Sequence, residues 1–137
     1  MIECTFFGHE ARFHHVGLAI RSIRDADPSF PSYRDENLGV AMAFLDLGGV
    51  TIELLEPIGE DSPIAKNLRD GVKLVHLCYE VPDLEEALEE GRRAGFRRIS
   101  KIEKQPVYDD RRVVWVFNKH YGVIELLERP PDATSEG

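Results

Sequence analysis

The sequence predicts an α+β fold made of two copies of one strand-rich module, and three features carry that expectation. Val50-Thr51-Ile52-Glu53-Leu54-Leu55, followed by Glu56-Pro57, returns as Val123-Ile124-Glu125-Leu126-Leu127-Glu128, followed by Arg129-Pro130. Each of these runs follows glycine, Gly48-Gly49 and Gly122. An apolar strand bearing histidine opens each half, Phe13 to Ile20 with His15 and Leu74 to Val81 with His76. Between the second pair of strands lies one clear amphipathic helix.

Taken in order, Phe13–Ile20 reads as a strand. Arg21–Pro31 holds Asp27-Pro28 and a second proline without an apolar period, which predicts a loop or one helical turn. Gly39–Leu47 is a strand, and Gly48-Gly49 turns the chain into the strand around Glu53. The first module covers about 12–57. Residues 58–71, with Gly59, Pro63 and Gly71, form a linker in which Ile64, Ala65 and Leu68 could make a short helix. The second module covers about 72–129. There Asp83 caps a helix with Glu86 three residues on. Leu84, Ala87, Leu88 and Gly91 share one face, acids fill the first turns, and Arg92 and Arg93 the last. Gly95 ends the helix in the left-handed conformation. Phe96–Ile102 is read as a short strand and Val113–Phe117 as a longer one, giving β-α-β-β-β. Residues 130–137 read as a frayed tail. The whole, 1–137, is taken as a single domain.

Composition narrows the function. The 137 residues are 42% hydrophobic and 31% charged, an ordinary globular balance. A net charge of -8 argues against a nucleic-acid partner, whose phosphates need a basic face. Cys4 and Cys78 lack the C-x-x-C spacing of thiol metal or redox sites. Cys78 is expected to be a buried small residue. No apolar run nears the ~18 residues that span a membrane. No signal peptide is visible at the start, so the default location is cytoplasmic.

Four residues require a chemical explanation. Strand alternation puts Glu53 on the face opposite Ile52 and Leu54, and Glu125 on the face opposite Ile124 and Leu126. Each carboxylate then stands among aliphatic neighbours, where an uncompensated charge is costly. A divalent cation compensates it, and His15 and His76 supply neutral nitrogen ligands. His15, Glu53, His76 and Glu125 thus form a candidate mixed nitrogen and oxygen site for one divalent metal ion, with Co, Ni, Mn, Zn, Fe and Mg all open. His14 points to the other face and reads as structural, His9 and His120 as loop residues, and Trp115 as core.

These motifs resemble the vicinal oxygen chelate superfamily of glyoxalase I, extradiol dioxygenases, epimerases and bleomycin resistance proteins. Within it, Ile52-Glu53-Leu54-Leu55-Glu56-Pro57-Ile58-Gly59-Glu60-Asp61-Ser62-Pro63-Ile64-Ala65 and His76-Leu77-Cys78-Tyr79-Glu80-Val81-Pro82-Asp83-Leu84 are similar to methylmalonyl-CoA epimerases. The resemblance implies two βαβββ modules in a curved, incomplete barrel, the first with a shortened or missing helix, and the ligand set named above. It also implies that a small acyl-CoA or oxo-acid chelates the metal through two oxygens and that an enolate is stabilised. Glu53 and Glu125 are then the candidate catalytic carboxylates, with Glu125 doubling as ligand and base. The family's glycine-rich turn is replaced here by Gln105 to Arg112, and its histidine-proline turn by Asn118 to Tyr121. No acid stands near Met42, where some epimerases carry a second glutamate. Alternatives of the same fold are a glyoxalase-I-like lyase, an iron dioxygenase and a non-catalytic antibiotic-binding protein. Arg92, Arg93, Arg97, Arg98, Lys101 and Lys104 read as a solvated helix end, with the phosphates of coenzyme A as the alternative. A homodimer is expected, since an incomplete barrel leaves edges to cover.

Overall fold

Strand pairing follows the repeat in the sequence. In the computed structural model, which describes residues 1–130, the first half runs β1 (Arg12–Ala19), α1 (Ile23–Ala26), β2 (Tyr33–Asp35), β3 (Val40–Leu47) and β4 (Val50–Pro57). A helix, α2 (Ala65–Asp70), occupies the linker. The second half runs β5 (Leu74–Val81), α3 (Leu84–Arg93), β6 (Arg97–Arg98), β7 (Glu103–Gln105), β8 (Arg111–Asn118) and β9 (Gly122–Glu128). The first half orders its strands β2-β3-β4-β1, and the second β5-β9-β8-β6 with β7 also on β8. In both, a parallel pair (β1 with β4, β5 with β9) is followed by an antiparallel hairpin. The chain divides into two compact units: His15–His76, and Met1–His14 together with the chain from Leu77 onward. The expected tail from 131 onward lies outside the described residues.

Short-range chemistry explains the elements. The Asp83 carboxylate accepts from the Glu86 backbone N–H at 2.9 Å and starts α3. Gly95, at φ +91°, turns the chain out of it. Leu84 and Ala87 pack with Val114, Val116, Ile124 and Leu126 in the core of this unit, and Gly91 lies against Phe7 and Phe96. In the other unit α1 is a single turn, capped by Ser22 and stopped before Pro28. Ile23 from that turn packs with Ala41, Ala43, Ile52 and Leu54. The apolar side of each sheet therefore faces the helix, which leaves Glu53 and Glu125 on the opposite side.

Three local expectations change. The strand read over Phe96–Ile102 is only β6, because the Ser100 hydroxyl accepts from the Trp115 N–H at 2.9 Å and so replaces a ladder partner. Pairing resumes at β7. Trp115 is half-buried rather than core; it pairs with Glu125 and lies against the cluster of Cys78, Tyr108, Val113 and Leu127. β2 had no signal, since two of its three residues are charged; it is an edge strand held by the backbone ladder to β3. Cys78 is fully buried, as expected.

Candidate metal centre

The unit His15–His76 brings three of the four expected residues together. His15 Nε2 lies 3.1 Å from Glu53 Oε1, His76 Nε2 lies 3.2 Å from the same oxygen, and the two imidazole nitrogens are 3.1 Å apart. All three side chains are buried, at 0%, 3% and 2% exposure for His15, Glu53 and His76. The donor atoms thus form a nearly equilateral triangle shielded from bulk solvent.

Protons alone satisfy such a triangle poorly. If both Nε2 atoms carry hydrogen, two donors face each other; if only one does, a nitrogen lone pair faces the carboxylate. In either case one edge opposes like groups. A divalent cation attracts all three vertices at once. Ligands about 2.1 Å from a shared ion and at right angles stand about 3.0 Å apart, which matches the three edges. The cluster is therefore compatible with a divalent metal site.

The strands dictate this placement. In the parallel ladder β1–β4, Glu53 pairs with Gly17, two residues after His15 and on the same face. A Cβ at Gly17 would stand 2.6 Å from His76 Nδ1 and 2.8 Å from its Nε2, so only glycine leaves room for that imidazole. Phe44 pairs with Glu53 across β3–β4 and presents its ring edge-on to His15, with centroids 5.7 Å apart. At 38% exposure it is an aromatic that is only partly covered.

Glu125 belongs to the other unit and is also buried, at 4% exposure. Its register repeats that of Glu53. It pairs with Cys78, two residues after His76, on the parallel strand β5, and with the aromatic Trp115 on the antiparallel strand β8. Its Oε1 accepts from the Tyr108 hydroxyl at 3.4 Å. His14 is half-buried with its ring edge-on to Tyr108, centroids 6.2 Å apart, and His9 and His120 lie in turns. Met42 is buried on the Glu53 side of the first sheet, paired with Leu55, and brings no acid there. Arg92 and Arg93 are bound to Glu89 and Glu90 on their own helix, which favours the solvated helix end over phosphate binding.

Gly17, Phe44, Tyr108 and Trp115 escaped the reading of the sequence as site residues. For Gly17, Phe44 and Trp115 a signal existed, because their offsets from the repeated His and Glu follow from strand register. Tyr108 had none, since it lies in an irregular turn.

Comparison with known proteins identifies the family and the fold. Residues 14–115 match the family model described as the glyoxalase/bleomycin resistance protein/dioxygenase superfamily. The chain is 31% identical over 132 residues to the ethylmalonyl-CoA/methylmalonyl-CoA epimerase of Cereibacter sphaeroides, covering 86% of this chain and 97% of that protein. It is 29% identical over 103 residues to the human mitochondrial methylmalonyl-CoA epimerase, covering 66% of this chain and 57% of that one. The crystal structure of methylmalonyl-CoA epimerase from Mycobacterium tuberculosis shares the fold, with a TM-score of 0.73 over 98% of this chain and 97% of that chain at 21% identity. Family model, relatives and fold converge: this chain belongs to the glyoxalase/bleomycin resistance protein/dioxygenase superfamily.

Proposed function

We propose that the protein is a metal-dependent epimerase acting on methylmalonyl-CoA or a similar short acyl-CoA, with one divalent ion held by His15, Glu53, His76 and Glu125. The observation that carries the reading is the buried triangle of His15, Glu53 and His76, whose edges of 3.1–3.2 Å suit a shared cation. Glu125 is assigned as the fourth ligand because its ladder register repeats that of Glu53 residue for residue. The substrate class rests on the names of the relatives, which are epimerases of methylmalonyl-CoA.

When bound, the ion supplies a Lewis acid that stabilises negative charge developing on substrate oxygens. His15, His76 and Glu53 hold it and are themselves locked by burial. Glu125 would take the proton from the acidic carbon of the substrate, and a second proton donor would return one to the opposite face. The reading also includes a cytoplasmic homodimer.

Elemental analysis of the purified protein tests the reading, together with deuterium exchange at the α-carbon of methylmalonyl-CoA. About one divalent ion per chain, lost in Glu53→Ala and Glu125→Ala, is expected, with exchange that disappears in both variants. A wild type that neither contains nor takes up a divalent ion would refute it.

A further inference from the structure

Tyr108 is placed with more care than packing requires. It ends a 3-10 turn, Pro106–Tyr108, between β7 and β8, and is buried at 7% exposure. The loop is closed by Asp109 and Asp110, both at positive φ (55° and 63°), where non-glycine residues cost about 1 kcal/mol or more each. Backbone bonds fix the turn: the Asp109 N–H donates to the Pro106 carbonyl at 3.1 Å and the Asp110 N–H to the Gln105 carbonyl at 3.0 Å. Arg111 clamps it from outside. Its Nε donates to the Tyr108 carbonyl at 3.3 Å, its guanidinium lies 5.9 Å from the phenol centroid, and its Nη1 pairs with Glu80 at 2.9 Å. His14 meets the phenol ring edge-on.

The hydroxyl so placed donates to Glu125 Oε1 at 3.4 Å, at the long end of the hydrogen-bonding range. The clamp around the turn contributes to where the hydroxyl sits. A phenylalanine would fill the same space without placing a polar atom there, and a buried hydroxyl costs stability unless it has a partner. The two halves differ at this point. Counting back from Phe44 and Trp115, the place of Tyr108 in the first half is taken by Asn37, which is exposed.

We infer that Tyr108 is a positioning residue for Glu125: by engaging Oε1 it fixes the orientation in which the carboxylate would be offered to a metal ion. The inference rests on the metal-dependent reading above. It gives the two carboxylates different duties, Glu53 as a plain ligand and Glu125 as the oriented one. A carboxylate that would serve as both ligand and proton acceptor needs a fixed orientation, which a hydrogen bond to one of its oxygens supplies.

The test is Tyr108→Phe, loaded with Co²⁺ and compared with wild type. The variant is expected to keep one ion per chain and its melting temperature, while Kd for Co²⁺ weakens about tenfold and the visible Co²⁺ spectrum changes. With methylmalonyl-CoA, kcat is expected to fall about tenfold with KM little changed. In the wild type itself, the Tyr108 ring carbon bearing the hydroxyl, followed with ¹³C-tyrosine, should shift on adding Zn²⁺, a readout that holds even if the variant fails to fold. A wild-type Kd and spectrum in Tyr108→Phe, or no carbon shift in a wild type that binds one ion, overturns the role of Tyr108 and leaves the metal site standing. A wild type that binds no ion overturns both.

Discussion

Gly17→Ala tests the site through a residue that touches neither proton nor substrate. Gly17 is an ordinary strand residue without a positive φ, so its backbone accepts alanine. Elsewhere in a strand such a change would stabilise by about 0.4–1 kcal/mol, by restricting the unfolded chain. Here the new methyl would lie 2.6 Å from His76 Nδ1 and 2.8 Å from Nε2. Carbon and ring atoms settle near 3.5 Å, so the imidazole must retreat by about 1 Å. The ring is 2% exposed, so its retreat must be taken up inside the protein. Overpacking of this kind costs about 1–3 kcal/mol, which reverses the sign of the expected change. The same displacement takes His76 Nε2 out of the triangle with His15 and Glu53, far beyond the ~0.2 Å tolerance of metal ligands. Metal affinity should fall by about 100-fold or more. Calorimetric titration of Co²⁺ and urea unfolding of the metal-free protein measure the two effects separately. His76→Ala in the Gly17→Ala background should remove the steric cost, giving a coupling of about 1 kcal/mol or more in a double-mutant cycle. A Gly17→Ala variant that is more stable than wild type and binds Co²⁺ with unchanged Kd would refute this account of the site.

Further expectations concern the second unit and the assembly. Arg112 donates to Glu128 and Glu85 at 2.7–2.9 Å, and that contact holds the Glu128 carboxyl below its ordinary 4.5. Because the folded value is depressed, the stabilisation is complete above pH 4.5 and is lost as pH falls through the folded value. Arg112→Met should therefore cost about 1 kcal/mol at pH 7, with the difference from wild type shrinking below pH 4.5 in urea unfolding curves. Gly91→Ala should destabilise despite a helix-propensity gain of about 1 kcal/mol, since the new Cβ would sit 2.8 Å from the Phe7 ring. Limited proteolysis should then cut within residues 1–10 faster than in wild type. Light scattering at micromolar concentration should give the mass of a dimer, and a monomer mass would reject that part of the proposal.

The α+β class and the repeated strands that carry His15, Glu53, His76 and Glu125 could all be read from residue order. The reason is that alternation along a strand is a local property: Ile52 and Leu54 on one face force Glu53 to the other, and the same holds for Ile124, Leu126 and Glu125. The α3 cap at Asp83 and its exit at Gly95 are equally local. Side-chain exchange defeated the same logic at Phe96–Ile102, because periodicity does not show that the Ser100 hydroxyl will take a ladder bond from Trp115. Trp115 looked like core by composition, yet its pairing puts it beside Glu125. Tertiary structure alone decided the closeness of His15, Glu53 and His76, the approach of the His76 ring to the space a Cβ at Gly17 would fill, and the approach of Tyr108 to Glu125. These depend on how strands distant in sequence come to lie side by side and on a turn held by two left-handed aspartates. The sequence by itself determined which groups this protein has for chemistry and on which face each strand carries them; packing decided the ångströms between them, because distances between strands are set by ladders and side-chain volumes that no single segment contains.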